Sequence, residues 1–388
     1  MFLMIRRKYW LDLIGKAWAG RSVIWLSGVR RAGKTVLSRT LPRAEYFDCE
    51  LLRVREMMKD PEVFLKRLRG KRVVFDEIHR LDNPSELLKV AADYFPDVKV
   101  FATGSSTLGA SRKFRDVLTG RKTTVWLTPM TMSDLNDFKS RDLGHRIVHG
   151  GLPPFFLHDD IQEGSYQDWM DMYWTKDIEE LFRLQRRSAF QRFTELLMKN
   201  SSGMFESAYY AKRCEVSRTT IMEYLAVLED THVAHVLRPF NSRRAIEIVA
   251  APKVYVFDTG FICHSMGWDR ITSENRGVLW EHLVLNEIHA GLQTRKVNYW
   301  RDKHGNEVDL VLPRRGRPPL AIECKWSADR LDPRGMLAFL RAYPGAELFL
   351  AASDLRETEV RKYDGAAVTF TGINQLPALL REKGKGFL

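Results

Sequence analysis

Ser22-Val-Ile-Trp-Leu-Ser27 runs directly into Gly28-Val-Arg-Arg-Ala32-Gly33-Lys34-Thr35-Val36, and a helical pattern continues through Leu37 and Leu41. The first six residues read as a short buried strand. The next eight are G-x-x-x-x-G-K-[ST], in the strand–loop–helix setting that this motif requires. Its chemistry explains the residue types. Gly28 and Gly33 free the backbone, from Gly28 past Ala32 to Val36, to wrap N–H groups around phosphates. The following helix adds its positive end, Lys34 reaches the β- and γ-phosphates, and Thr35 ligates magnesium. The stretch predicts an ATP- and Mg²⁺-binding loop.

Such a loop needs a carboxylate from a neighbouring strand. Arg72-Val-Val-Phe-Asp76-Glu77 is an apolar strand ending in two acids. Asp76 suits the magnesium shell and Glu77 the base that polarises the attacking water. A third strand, Lys99-Val-Phe-Ala-Thr103-Gly-Ser105-Ser106, ends in polar residues. A helix over about 107–118 follows, then Gly120-Arg121 and a strand from Thr123 to Thr128. Apolar strands alternating with helices predict a parallel α/β sheet.

The chain has 388 residues, enough for two or three domains, with 45% hydrophobic and 28% charged residues. Its formal charge of +12 and pI near 9.5 suit a polyanionic partner, nucleic acid first and an anionic membrane second. The four cysteines, Cys49, Cys214, Cys263 and Cys324, form no CxxC pair, which argues against a zinc site or a disulfide framework. The N-terminus, Met1-Phe-Leu-Met-Ile-Arg-Arg-Lys8, places apolar residues before positive ones, the reverse of a signal peptide. No run of 18 apolar residues exists. The expectation is a cytoplasmic protein that does not span a membrane.

The P-loop, Phe75-Asp-Glu-Ile78, Thr103-Gly-Ser-Ser106, Thr119-Gly-Arg121 and Pro129-Met-Thr-Met-Ser-Asp-Leu135 together resemble a prokaryotic AAA+ family. Its members carry a C-terminal region catalogued as domain of unknown function 4143. The likeness extends over nearly the whole chain. It implies that Ser105 stands at sensor 1 and that Arg121 is an arginine finger. A finger places positive charge on the γ-phosphate of a neighbouring subunit's ATP, so the working form is expected to be a homo-oligomer. Gly151-Leu-Pro153 is similar to the G-L-P element of signalling NTPases, whose proline packs beside adenine. Trp174-Thr-Lys-Asp177-Ile178 fits the family's lid helix.

Residues 206–230 carry a helix–turn–helix pattern. Ala208-Tyr-Tyr-Ala-Lys-Arg213 precedes a turn at Glu215-Val216. Ser217 then caps a helix with Ile221, Leu225 and Leu228 on one face. Arg218 and Thr219 at its start are candidate DNA contacts. Residues 233–249 suit a β-wing whose tip carries Arg243 and Arg244.

The last third has a helical pattern around Glu281, a strand from Val297 to Arg301, and a turn at Lys303-His-Gly-Asn306. A strand carrying Glu307-Val-Asp309 and another carrying Glu323-Cys-Lys325 follow. Helix-Glu, strand-Asp, strand-Glu-x-Lys resembles the PD-(D/E)xK nuclease core. Asp309 and Glu323 would hold Mg²⁺ or Mn²⁺ against a scissile phosphate, with Glu281 completing the shell or positioning a second ion. Lys325 shares a strand face with Glu323 and would activate the water.

The expected fold is therefore α/β: an AAA+ P-loop core over 1–135, a helical lid over 136–200, a winged helix over 201–250, and a nuclease-like α/β domain over 251–388. Two functions are open: an ATP-driven DNA-processing enzyme, or a regulatory switch NTPase whose C-terminal domain binds a partner without cutting.

Overall fold

The computed structural model describes residues 5–105, 108, 112–139, 142–159, 163–179, 186–241 and 251–383. Val23–Ser27 (β1) is buried along its whole length. It is joined by Ala44–Asp48 (β2), Arg72–Asp76 (β3), Lys99–Thr103 (β4) and Lys122–Trp126 (β5) in one sheet of order β2-β3-β4-β1-β5. Every pairing is parallel, with Ile24 level with Phe101 on one side and Thr123 on the other. Alternate residues of β1 serve opposite faces. Ile24 and Leu26 pack with Trp10, Ile14 and Trp18, whereas Val23 and Trp25 pack with Leu87, Leu88 and Phe114. Burial on both faces is why these strands read as continuous apolar runs. Because β4 lies between β3 and β1, the carboxyl ends of all three open into one crevice, where ligands of open α/β sheets bind.

A helical region follows. Glu163–Tyr173 passes into a π-helical segment, Trp174–Glu179, and then comes Arg187–Lys199. The helices Ser207–Cys214 and Arg218–Asp230 are joined by a turn with Glu215 at φ +55°, and Ser217 accepts the Thr220 N–H as the second helix's cap. Ala234–Leu237 (β6) pairs antiparallel with Lys253–Val256 (β7). The strand that pairs with β6 thus lies beyond the 233–249 segment expected to hold the wing. Residues 242–250, with Arg243 and Arg244, lie outside the described residues.

The last sheet has order β12-β13-β11-β10-β9-β8. Its strands are Asn298–Arg301 (β8), Glu307–Arg314 (β9), Arg317–Lys325 (β10), Glu347–Ala352 (β11), Glu359–Tyr363 (β12) and Ala366–Gly372 (β13). The helix Arg276–Leu292 covers one face, where Leu279 and Leu283 join the core of Leu310, Leu312 and Ile322. The helix Arg334–Ala342 covers the other, over Val308, Val311 and Ala321.

The helix Arg276–Leu292 is also bonded to the first domain. Glu287 accepts the Met132 N–H at 2.8 Å, Gln293 accepts that of Trp126 at 2.8 Å, and Asn286 donates to the Pro129 carbonyl at 3.2 Å. The four cysteines are free and buried. Among the described residues no helix is long and apolar enough to cross a membrane.

Candidate active site

The crevice at the carboxyl ends of β1, β3 and β4 is a cavity of about 480 Å³, whose lining includes Gly33, Lys34, Thr35, Val36, Glu77 and Ser105. Gly28 has φ +150°, and a Cβ there would meet the Leu127 carbonyl oxygen at 2.4 Å. Gly33, at φ +95°, is the second position where only glycine is relaxed. Lys34 Nζ donates to the carbonyls of Gly28 (2.8 Å) and Val29 (3.0 Å). Burial pushes the Lys34 ammonium pKa down, so an anion arriving in the cavity would meet a cation short of counter-charge. Ala32 anchors the loop from behind: its carbonyl accepts from Arg7 at 3.0 Å, and Arg7 forms a buried ion pair with Asp134 at 2.7 Å.

Asp76 is buried at the end of β3 and held from both sides, by the Tyr46 hydroxyl at 2.5 Å and by the Thr103 hydroxyl. Glu77 takes φ +52°, which turns it out of the strand to line the cavity. Its carboxyl Oε2 lies 3.1 Å from His79 Nδ1. Burial raises the Glu77 pKa, but the imidazole's hydrogen bond and the charges of His79, Lys34 and Arg30 outweigh it and hold the group below the usual range. An ionised carboxylate facing the cavity is what a water-polarising base requires.

Ser105 does more than end a strand. Its hydroxyl donates to Asp177 at 3.0 Å, and Asp177 pairs with Arg30 of the P-loop at 2.6 Å. The end of β4, the P-loop and the π-helical segment thus meet at one carboxylate. Arg30, His79 and Asp177 were absent from the sequence-level site. Arg30 and Asp177 stood within quoted motifs, but nothing local announces that they pair across 147 positions. Pro153 lines the same cavity, with its ring 3.6 Å from where a Gly33 Cβ would stand.

Arg121 precedes β5, at the opposite end of the sheet from its own P-loop. It is bound to Asp93 at 2.8 Å. It lies away from the cavity of its own chain. Arg218 and Thr219 are exposed at the start of their helix.

The four residues named in the last third come together. Asp309 on β9 accepts the Cys324 N–H at 2.8 Å. Lys325 Nζ lies 2.6 Å from Glu323 and 4.0 Å from Asp309. Glu281, from the helix above, faces the same group: burial and then the Asp309 charge push its pKa up to about 8. The same two causes raise Glu323 to about 8. Burial lowers the Lys325 pKa, but the charges of Asp309 and Glu323 reverse that and raise it. Three carboxylates therefore crowd around Lys325, with Lys253 as a second ammonium nearby. Glu323 Oε2 is buried without a hydrogen-bond partner, a deficit of about 1–3 kcal/mol for a neutral group and more for an ion. That orphan and the crowding of acids, which a bound cation would help to ionise, fit a divalent cation, although no three such side chains are gathered in ligating geometry among the described residues. Tyr255 and Lys253 of β7 also reach this site. The Tyr255 hydroxyl donates to Glu281 Oε2 at 3.1 Å, and Lys253 pairs with Glu307. The alternation Lys253-Val-Tyr255-Val was the available signal for this shared face.

A P-loop after the first strand of a parallel β2-β3-β4-β1-β5 sheet is the arrangement of the P-loop AAA fold. Residues 20–136 match the family model described as an AAA domain. Residues 140–272 match a domain of unknown function (DUF8612), and residues 276–367 another (DUF4143). The chain carries an AAA domain followed by a C-terminal DUF4143 domain. Uncharacterized proteins of Mycobacterium tuberculosis and Mycobacterium bovis are each 28% identical to it over 400 residues, covering 98% of this chain and 88% of theirs. Among solved structures, the Walker-type ATPase of Pyrococcus abyssi is 16% identical with TM-score 0.43, over 68% of this chain and 96% of its own. A signal transduction ATPase with numerous domains from Pyrococcus horikoshii is 10% identical with TM-score 0.29, over 72% of this chain and 46% of its own.

Proposed function

We propose that this protein hydrolyses ATP as a homo-oligomer to bind and process DNA, and that its C-terminal acidic site cleaves phosphodiesters with Mg²⁺ or Mn²⁺. The observation that carries this reading is the meeting of Glu281, Asp309, Glu323 and Lys325 on a domain whose helix is bonded to the ATPase core. At the P-loop, Lys34 would exchange its backbone carbonyls for phosphate oxygens. Thr35 and Asp76 would hold the magnesium, which neutralises phosphate charge when bound. Glu77 would take the proton of the attacking water, Ser105 would report the γ-phosphate, and Pro153 would pack beside adenine. Arg121 would act on a neighbour's ATP.

At the acidic site, Asp309, Glu323 and Glu281 would hold the cation, which polarises the scissile phosphate when bound. Lys325 would orient the water from beside Glu323. Arg218 and Thr219, with Arg243 and Arg244, would contact the duplex backbone. The test is incubation with linear, flapped and four-way DNA, with and without ATP. Nicking is expected with Mg²⁺ or Mn²⁺ and none with EDTA. Asp309→Ala should lose both metal and cleavage, while Lys325→Ala keeps the metal and loses cleavage. Wild-type protein that leaves every substrate intact overturns the nuclease half.

The second reading, a regulatory switch whose C-terminal domain binds without cutting, is favoured by the Lys325 ammonium bridging Glu323 and Asp309 in place of ligating geometry. DNA-stimulated ATP turnover separates the two, since only a processing enzyme requires it.

A further inference from the structure

The strand β7 enters the acidic site from outside the six-stranded sheet. Lys253 and Tyr255 are two residues apart, so they share a strand face, and both turn toward the acids. Tyr255 is fully buried, with its ring tilted against that of His282 at 4.9 Å, and its hydroxyl donates to Glu281 Oε2 at 3.1 Å. Lys253 pairs with Glu307, two residues before Asp309 on β9. A second bolt fixes β7 to the helix one residue past Glu281. Ser201 Oγ receives the Val256 N–H at 2.7 Å and lies 2.7 Å from His282 Nε2. On its other edge β7 pairs with β6, Tyr255 opposite His235, directly after the helix–turn–helix.

We infer that Tyr255 is a positioning residue for Glu281, so that the β6–β7 ribbon, and not the nuclease-like sheet alone, sets the geometry of the divalent-cation site. The inference rests on the proposed reading of the acids as metal ligands. Its physics is that of an outer partner at a metal site. A carboxylate on a long side chain has several rotamers, and a fixed donor on one oxygen selects the one that leaves the other oxygen for the ion. Any motion of the ribbon against the helix Arg276–Leu292 would then reach the cation directly.

The experiment titrates Mn²⁺ into the nucleotide-free full-length chain and counts bound ions from the loss of the free-ion EPR signal. Wild type should bind one ion that Asp309→Ala removes. Tyr255→Phe deletes only the hydroxyl, and should weaken that binding by about 10–100-fold, as loss of outer partners does. Its ATP turnover should match wild type. In a Glu281→Gln background, Tyr255→Phe should add no further loss, which a merely structural tyrosine would not mimic. Unchanged Mn²⁺ affinity in Tyr255→Phe, or a full further loss in the Glu281→Gln background, overturns the inference and leaves the metal-site reading standing. Wild type binding no ion that Asp309→Ala removes overturns both.

Discussion

The nucleotide cavity and the C-terminal acidic site are electrostatic opposites built by the same means. In the first, Lys34 is buried against backbone carbonyls, with Arg30, Arg31 and Lys176 around the same cavity, and burial lowers its pKa. In the second, Glu281 and Glu323 are buried beside Asp309 with Lys325 and Lys253 near them, and burial raises theirs. Each holds charge that is poorly compensated by its own chain, and each is relieved by a ligand of opposite sign. They differ in what holds them. The P-loop takes its shape from glycines within eight residues and is braced from outside by Arg7 and Asp177, whereas the acids hang on a helix, two strands and a tyrosine from a third.

The sharpest way to break the comparison is to remove its cationic pole. Lys34→Ala should abolish tight ATP binding, measured with a fluorescent ATP analogue, yet leave Mn²⁺ binding at the acidic site unchanged. Loss of both would mean that the two sites are one cooperative unit. Arg121→Ala should keep ATP affinity and lower turnover about 10³-fold. Mixed with Glu77→Gln, it should regain part of the activity, because some interfaces then pair an intact arginine with an intact base. A mixture that co-assembles without rescue would remove the arginine from the neighbour's site. Glu77→Gln alone should retain ATP and lose at least about 100-fold in turnover, the contribution of a general base. Near-normal turnover would transfer that role elsewhere.

The same contrast explains what the sequence disclosed. Gly28, Gly33 and Lys34 were legible because their chemistry needs fixed spacing along one loop, and the apolar strands around them read plainly. Asp309, Glu323 and Lys325 were legible as types in an order. Their meeting was not, because it depends on the β9–β10 pairing and on where the helix Arg276–Leu292 lies. Arg30–Asp177 was invisible for a simpler reason: it joins segments 147 residues apart with no pattern between them. The ribbon was half legible. Its first strand fell inside the expected segment, and its second lay beyond it at Lys253–Val256.

The smallest expected effect concerns a third kind of surface, exposed charge, where neither burial nor geometry concentrates the energy. Arg218 stands open at the start of the helix Arg218–Asp230, capped by Ser217, with Thr219 beside it. If this end meets duplex phosphates, binding displaces counterions, and log affinity should fall linearly with log salt at about −0.9 per phosphate contact. Arg218→Ala should then reduce the steepness by about 1 and weaken binding uniformly across sequences, because a phosphate contact carries no base information. Fluorescence anisotropy of a labelled duplex at several salt concentrations measures it. An unchanged slope would move the DNA surface off this helix. A loss confined to particular sequences would make Arg218 a base contact, and the helix a reader of the groove as well as an anchor on its edge.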